Sequence, residues 1–166
     1  MLVRSMLCAA LATGGLIPTI SPADAGEIVV PATAECVDTN LRVRRGQRVF
    51  FSAIGTATYG FEGPPVDDSP VTNPDGQRFL PYVPSATGAR RPIDGLFPIG
   101  RKRDPFALVP GPIGLLVGRV TRDGKPFPIG ASGVVAMPGT GKLQLCYNDV
   151  PGAHGDNSGA YRVAFG

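Results

Sequence analysis

The chain has 166 residues, of which 23 are Gly and 18 are Pro, and 43% of its residues are hydrophobic. Because Gly and Pro are poor in helix interiors, this composition excludes a coiled coil or a helix bundle and favours one all-β domain of many short strands. The formal net charge is only +3. Basic residues fall in two short clusters, 42–48 and 101–103, and lack the interleaved aromatic residues of a nucleic-acid-binding surface, so we expect no nucleic-acid partner.

Residues 1–25 have the pattern of a cleavable secretory signal peptide. Arg4 precedes an apolar stretch that Pro18 and Pro22 interrupt, and residues 23–25 read Ala-Asp-Ala, the A-x-A cleavage pattern. The interruptions also exclude a transmembrane span, which needs about 20 uninterrupted apolar residues. We therefore expect cleavage after Ala25, a secreted or periplasmic protein, and a single mature domain over residues 26–166.

Short apolar runs separated by turn residues follow along the mature chain. In chain order they are EIVV, CVDTNLRV, VFFSAIGTATYG, IGLLVGRV, SGVVAM, KLQLCY and AYRVAF. Alternation is clear near the end, where Leu143, Leu145 and Tyr147 share one face of a strand. No segment has helical periodicity. The pattern predicts an antiparallel β-sandwich or jelly roll.

The stretch 61–112 differs from the rest because it is rich in Pro and shows no sustained alternation. We predict that it is largely loop, and that residues 80–112 form a Pro- and Arg-rich excursion from the sandwich. Structureless segments of this length are usually functional or disordered.

Two cysteines remain once Cys8 is removed with the signal peptide. An even pair in an exported protein, Cys36 and Cys146, suggests a disulfide. The alternative is two separate buried thiols, and the spacing alone does not decide between them.

The segment 147–159, with the sequence YNDVPGAHGDNSG, has the residues of a calcium-binding loop. Asp149, Asp156 and Asn157 carry side-chain oxygens, and the Gly and Pro residues allow bends that direct backbone carbonyls inward. Calcium takes 6 to 8 such oxygen ligands. The spacing is not that of an EF-hand. A polar turn that caps a hairpin is the alternative from composition alone.

The longer segment YNDVPGAHGDNSGAYRV (147–163) closely resembles the C-terminal motif of the LecA type, the PA-I galactophilic family of calcium-dependent galactose-binding lectins. GTATYG (55–60) is similar to the family's tyrosine-glycine after a strand, and NPDGQ (73–77) to its His-Pro-Asp-Gln-Gly-like loop. The IGLLVGRV strand and FPIGAS (127–132) follow the family's order of elements. The resemblance covers most of the mature chain apart from the 80–112 excursion.

The resemblance implies a galactose-binding β-sandwich of jelly-roll type, with no catalysis and with assembly into a homo-oligomer, a tetramer in the family. It implies one Ca²⁺ ion, completed by two vicinal hydroxyls of a galactose-containing glycan. The implied calcium ligands are the side chains of Asp149, Asp156 and Asn157 and the backbone carbonyls of Tyr59 and Ala153. The implied sugar-binding residues are Asn73, Gln77, Asp149, Val150, Asp156 and Asn157.

The chain departs from the family's pattern at four of these positions. Asp156 stands where the family usually has Asn, which keeps an oxygen ligand and adds a negative charge. Ala153 replaces Thr, which does not matter to a carbonyl ligand. Asn73 replaces the His that contacts the sugar's primary hydroxyl, and Gln77 is displaced by one position.

Two other functions are open at this point. A small secreted hydrolase would use His154, the single histidine, with Asp149 or Asp156. Catalytic triads ordinarily take their members from separate elements, whereas these three residues share one Gly-rich loop. A structural or adhesion module, in which calcium only staples the loop, would bind calcium without binding galactose.

Overall fold

A computed structural model of the protein describes residues 25–60, 70–84 and 90–166, with side chains described outside 80–84 and 90–97. The predicted signal peptide lies outside the described residues except for Ala25. The described strands are β1 Gly26–Pro31, β2 Cys36–Val43, β3 Arg48–Thr58, β4 Val71–Thr72, β5 Arg78–Pro84, β6 Arg90–Gly100, β7 Arg103–Asp104, β8 Gly111–Pro112, β9 Leu116–Val120, β10 Phe127–Pro128, β11 Ser132–Ala136, β12 Gly141–Tyr147 and β13 Ser158–Phe165. A short 3₁₀ helix, His154–Asp156, precedes β13.

Within the described residues, two antiparallel sheets make up the sandwich. The larger sheet has the order β1-β13-β3-β4-β5-β6, with β11 also pairing with β3, and the smaller has the order β10-β9-β12-β2. β7 and β8 form a separate two-stranded ribbon. The chain changes sheet at both ends, because β1, β3, β11 and β13 belong to the larger sheet whereas β2 and β12 belong to the smaller one. The fold confirms the predicted all-β class and its antiparallel sandwich.

The core lies between the two sheets, where the period-2 pattern places apolar side chains. On β13, Tyr161 and Val163 are fully buried and the intervening Arg162 is exposed. On β12, the predicted face of Leu143, Leu145 and Tyr147 is also fully buried. Alternation in the sequence thus predicts correctly which side of β12 and of β13 faces the core.

The disulfide predicted from the two mature cysteines is present. Cys36 lies directly opposite Cys146 in the β2–β12 pair, and a disulfide joins them. Their sequence separation is 110 residues. The bond therefore ties the second strand to the twelfth, and the alternative of two separate thiols is excluded.

The prediction that 61–112 is largely loop is wrong for two of its segments. β5 pairs with β6 from Arg78↔Gly100 to Pro84↔Arg90, with two register shifts. The sequence signal fails because prolines interrupt the alternation. β6 is the last strand of its sheet, and an edge strand tolerates a residue that cannot donate a ladder hydrogen bond. The 80–112 excursion thus contains a strand pair that extends the larger sheet.

A hydrogen-bonded group of three side chains crosses the core beneath the last loop of the chain. The hydroxyl of buried Thr72 lies 2.8 Å from that of Tyr161 and 3.1 Å from that of Tyr147. The Tyr161 hydroxyl also lies 2.7 Å from the carbonyl oxygen of Gly114 and 3.0 Å from that of Asn73. The group joins the loops that contain Asn73 and Gly114 to the sandwich. All three of its buried hydroxyls have hydrogen-bond partners.

No helix among the described residues is long and apolar enough to cross a membrane.

Candidate functional site

The last loop, between β12 and β13, is held against the 108–115 segment by Asn148. This side chain is fully buried. Its Nδ2 donates to the carbonyls of Val109 (3.0 Å) and Pro112 (2.8 Å), while its Oδ1 accepts from the Val109 amide (2.8 Å). The Leu108 amide adds a bond to the carbonyl of Asp149 (3.0 Å). Every polar group of the Asn148 amide is used, so the two segments form one rigid wall.

A small cleft of about 200 Å³ opens between this wall and the end of β3, and we call it the acidic cleft. It is lined by Tyr59, Gly60, Lys102, Asp104, Ile113, Asp149, Ala153 and Asp156. Four of the five residues that the sequence predicts as calcium ligands are in this set, although Tyr59 and Asp149 are 90 positions apart. The fifth, Asn157, hydrogen-bonds to the lining.

Asp149 is a buried carboxylate, with 6% of its surface exposed. Its Oδ1 accepts from the Val150 amide at 2.7 Å, and its Oδ2 accepts from Nδ2 of Asn157 at 2.9 Å. Ion pairs in the described part of the chain join Arg119 to Glu35 and Arg162 to Glu27, so neither involves Asp149. Two neutral donors solvate the charge only partly, and a buried carboxylate is costly without a cation or a full set of donors.

Asn157 connects the acidic cleft to two distant parts of the chain. Besides Asp149, its Nδ2 contacts the carbonyl of Ala32 at 3.1 Å, and its Oδ1 accepts from the Gly60 amide at 2.9 Å. The side chain is buried. It therefore fixes the end of β3, where Tyr59 and Gly60 lie, next to Asp149. An amide oxygen has two lone pairs, so Oδ1 can accept from Gly60 and still serve as a ligand.

The backbone conformation and the surroundings of position 60 favour glycine. Its φ of +38° lies in the left-handed region, and a β-carbon there would collide with the carboxylate of Asp156. The close approach of backbone to carboxylate forms one side of the acidic cleft. The sequence analysis noted the tyrosine-glycine pair without recognising this steric reason for the glycine.

The Tyr59 ring forms the floor of the acidic cleft. Nζ of Lys102 lies 5.2 Å from the ring centroid, and the Arg78 guanidinium lies 5.6 Å from it. The phenol oxygen is buried and has no hydrogen-bond partner among the described residues. Burial raises the pKa of Tyr59 above its ordinary value; Arg78 lowers that pKa and Asp149 raises it. The phenol thus stays neutral, and two cations face the ring from distant segments.

Four predicted sugar-binding residues are not in the lining of the acidic cleft. Val150 and Asn157 hydrogen-bond to Asp149, which is in the lining, whereas Asn73 and Gln77 lie in a separate turn. Oδ1 of Asn73 accepts from the amides of Asp75 (3.1 Å) and Gln77 (3.0 Å), which closes a tight turn. The backbones of Asn73 and Gln77 also bond to each other. Asn73 therefore shapes its own loop, a frequent role for Asn in turns. The contact of Asn73 and Gln77 with a sugar stays a prediction.

His154 is buried, with 5% of its surface exposed. Its Nε2 lies 3.3 Å from the carbonyl oxygen of Tyr147, and its ring makes an edge contact with the Tyr147 ring. A general base must reach a substrate proton. The imidazole instead packs behind the loop, a position that supports the loop and argues against the hydrolase hypothesis.

The sequence analysis missed three residues of the cleft wall: Lys102, Asp104 and Ile113. Asp104 lies in the β7–β8 ribbon, and Lys102 and Ile113 flank it. The sequence predicts Lys102 and Asp104 as loop and Ile113 as the start of a strand. Only tertiary contacts bring them beside Asp149. A weak local signal was available, since the basic cluster 101–103 ends at an aspartate.

The donor set of the acidic cleft is one of oxygens. No group of three or more His, Cys, Asp and Glu side chains that could hold a metal is found among the described residues. A metal here would use two carboxylates, one amide oxygen and backbone carbonyls. Such hard, mixed oxygen ligands suit calcium and do not suit zinc or copper, which favour imidazole and thiolate.

Part of the chain is similar to a known family, and most of it is similar to a solved structure. The profile of a family described as PA-IL-like protein matches residues 105–166. The solved structure of a PllA-like lectin, the EclA N-terminal domain, aligns with a TM-score of 0.55 and 21% identity, covering 86% of this chain and 97% of that one. No curated protein sequence matches significantly. The structural match confirms the predicted fold, and the profile match makes residues 105–166 similar to the family that the sequence motif resembles.

Proposed function

We propose that the protein is a secreted lectin that binds galactose or galactosides through one Ca²⁺ ion, and the similarity of residues 105–166 to PA-IL-like proteins supports the proposal. The observation that carries the proposal is the buried carboxylate of Asp149, which lines the acidic cleft and accepts its described hydrogen bonds from neutral donors. A divalent cation bound there would compensate this charge.

The residues of the acidic cleft fit the ion. Side chains of Asp149, Asp156 and Asn157 and the carbonyls of Tyr59 and Ala153 would hold it. Asp149 and Asn157 are fixed by hydrogen bonds to the backbone and to each other, so these oxygens need little reorganisation on binding. Asp156 and Ala153 are exposed and leave one side of the ion open to a ligand.

The bound ion would coordinate two vicinal hydroxyls of the sugar, and side chains of the protein would orient the sugar. Carboxylate oxygens of Asp149 and Asp156 can accept hydrogen bonds from those hydroxyls. The Val150 backbone lies next in the chain and can add a contact. A cleft of about 200 Å³ accommodates part of one monosaccharide, so the rest of a glycan would extend over the rim.

Assembly follows from the weakness of a single open site. Several sites acting together raise avidity without any new contact. The outer face of the larger sheet exposes Val29, Phe50, Ile54 and Val134, which lie close together through the pairing of their strands. Grouped apolar residues of this kind mark association surfaces. We propose that this face supports the homo-oligomer, with the family's tetramer as the expected state.

Isothermal titration of the mature protein with galactose tests the proposal, with glucose and mannose in parallel. Binding should be present with calcium, disappear after chelation with EDTA, and return when calcium is restored. Saturating magnesium serves as the matched ion control, because Mg²⁺ demands a smaller, octahedral site and should not restore binding. Galactose binding that survives chelation would refute the calcium mechanism.

The calcium-stapled structural module is the second candidate. It is favoured by one observation: Asn73, where the resemblance expects a sugar contact, uses its side-chain oxygen to close a turn. In this alternative, calcium raises the melting temperature, whereas none of the three sugars produces a titration signal. The same experiment therefore separates the two candidates.

A further inference from the structure

Three turns meet at the end of the sandwich that lies opposite the acidic cleft, and we call them together the basic end. They are residues 42–48 between β2 and β3, 121–126 between β9 and β10, and 137–142 between β11 and β12. The strand pairs β2–β12, β3–β11 and β9–β12 all reach these turns, so the turns lie side by side. β12 runs from Gly141 at the basic end to Tyr147 near the cleft. A strand of this length spans roughly 20 Å.

The basic end carries more positive charge than the protein has in total. Its basic side chains, all exposed, are Arg42, Arg44, Arg45, Arg48, Arg122, Lys125 and Lys142. Asp123 is the one acidic side chain in the three turns. Seven positive charges and one negative charge give +6, whereas the formal net charge of the whole chain is +3. The positive charge of the protein is therefore concentrated at this end.

Two of these basic side chains face each other across neighbouring strands. Arg42 on β2 lies directly opposite Lys142 on β12. Both point to the outer face of the smaller sheet, because the adjacent Leu41 and Leu143 are buried in the core. Side chains in this position have β-carbons about 5 Å apart, and like charges there repel each other. Neither residue belongs to an ion pair within the part of the chain that the structure describes.

Hydrogen bonds between the turns hold the basic end in one shape. The Arg45 amide donates to Oγ1 of Thr140 at 3.0 Å, which joins the first turn to the third. The Thr121 amide donates to the carbonyl of Lys142 at 2.8 Å, which joins the second turn to the third. A ligand would therefore meet charged residues whose backbone is already fixed, which reduces the entropy lost on binding.

The basic end opens into a groove of about 820 Å³ on the outer face of the smaller sheet. Arg42, Arg122 and Lys142 are part of its lining. A concave surface suits a chain that lies in it, whereas the surface of a bilayer is flat. The basic residues lack the interleaved aromatic residues on which nucleic-acid bases stack. Guanidinium groups match the paired oxygens of carboxylates and similar oxyanions.

We infer that the basic end is a second, calcium-independent binding site, and that its ligand is a linear anionic polysaccharide with carboxylate or sulfate groups. Such a chain would place an anionic group between Arg42 and Lys142 and remove their mutual repulsion. The inference does not rest on the proposed function, because the predicted calcium ligands lie at the other end of the sandwich.

Isothermal titration with heparin oligosaccharides of uniform length, in EDTA, tests this inference. The wild type should bind heparin without calcium, should bind it more weakly as the salt concentration rises, and should not bind uncharged dextran. The double variant Arg42→Gln/Lys142→Gln should bind heparin about 5- to 20-fold more weakly, as expected for the loss of two exposed ionic contacts. Its melting temperature should not fall, because the substitutions remove a repulsion.

Arg101→Gln/Arg103→Gln is the matched control. It removes the same charge from two exposed residues that flank Lys102 of the acidic cleft. At about 0.1 M NaCl, exposed charges more than about 10 Å from the ligand are screened, so this variant should keep its heparin affinity within about a factor of two.

Equal losses in the two double variants would mean that heparin responds only to overall charge, and would overturn the inference. Tighter binding of a DNA duplex or of anionic lipid vesicles than of heparin would also overturn it. Galactose titration with calcium tests the proposed function separately, so failure of one proposal leaves the other standing.

Discussion

Two polar depressions on the sandwich differ in size and in how their charges are paired. The larger, which we call the sheet groove, has a volume of about 820 Å³ and lies along β2, β9 and β12, whereas the acidic cleft has about 200 Å³. In the sheet groove, Arg119 pairs with Glu35 at 3.2 Å and donates to Gln144 at 2.7 Å. Gln144 in turn donates to Asp38 at 2.7 Å.

In the acidic cleft, by contrast, the central carboxylate has no ion-pair partner among the described residues. Asp149 is buried and accepts hydrogen bonds only from neutral donors. Glu35 and Asp38 of the sheet groove have partners within the groove itself. Its lining also has four basic residues against three acidic ones, so a cation has little to gain there. The comparison teaches that incompletely compensated charge, rather than volume, is the reason to propose the acidic cleft as the binding site.

Loss of the disulfide should have the largest effect and should separate stability from binding. Cys36 lines the sheet groove, and its bond to Cys146 closes a loop with a sequence separation of 110. Replacing both cysteines by Ala should lower the free energy of unfolding by about 2–5 kcal/mol. Calcium affinity, measured by titration at a temperature where the variant is folded, should stay within a factor of two. A parallel loss of calcium affinity would show that the two regions are coupled.

Asp149→Asn should have the next largest effect, and it addresses the acidic cleft directly. The substitution removes the buried charge and places an amide where a carboxylate accepts from Asn157 and Val150. Calcium affinity should fall by at least ~100-fold, more than the ~10–100-fold usual for losing a partner outside the ligand shell. Circular dichroism should confirm that the variant is folded.

Asp38→Asn is the matched control in the sheet groove. Asp38 is exposed and accepts one hydrogen bond from Gln144, which the amide oxygen of Asn can also accept. Calcium binding should therefore be unchanged. If the two substitutions weaken calcium binding equally, the distinction between the two depressions fails.

Alkaline pH should destabilise the hydrogen-bonded hydroxyls of Thr72, Tyr147 and Tyr161 beneath the acidic cleft before it affects the sheet groove. Burial raises the pKa of Tyr161 well above its ordinary value, with a further increase from Tyr147 and a decrease from the bond to Thr72. The folded protein thus keeps a proton that the unfolded chain releases near pH 10, so the free energy of unfolding should fall as the pH rises above about 10.

Tyr161→Phe tests this pH dependence. The variant leaves the carbonyls of Asn73 and Gly114 without the tyrosine hydroxyl, at a cost of about 1–3 kcal/mol at neutral pH. Chemical denaturation at several pH values should show the difference from wild type narrowing above about pH 10. A constant difference up to pH 11 would mean that Tyr161 does not contribute to the alkaline loss.

The sequence predicts the strands that alternate and fails where the structure depends on distant contacts. β12 and β13 have their buried faces where the period-2 pattern places them. β5 and β6 were missed because prolines hide an edge-strand pair. Asp104 was missed as a cleft residue because its position depends on tertiary packing of the β7–β8 ribbon, which no local pattern reports.

Within the candidate site, too, the sequence predicts the residues of a long motif and misses those that depend on distant contacts. The segment 147–159 supplies Asp149, Ala153 and Asp156 to the cleft, and its motif is long enough to identify them. The NPDGQ segment is short, and its Asn73 closes a turn by bonds that a motif comparison does not reveal. The bracing role of Asn148 also requires knowledge of which loop packs against it.

Asp156→Asn should have the smallest effect, and it sharpens the comparison within the acidic cleft itself. The substitution restores the residue usual in the resembled family and keeps an oxygen ligand. Asp156 is exposed, in contrast to buried Asp149, so solvent screens much of its charge. We expect titration to show calcium affinity lower by about 2- to 5-fold, in line with the modest strength of exposed charge interactions. Galactose binding at saturating calcium should be retained, because the new amide can donate a hydrogen bond to the sugar. A loss as large as that of Asp149→Asn would mean that burial does not rank the two carboxylates.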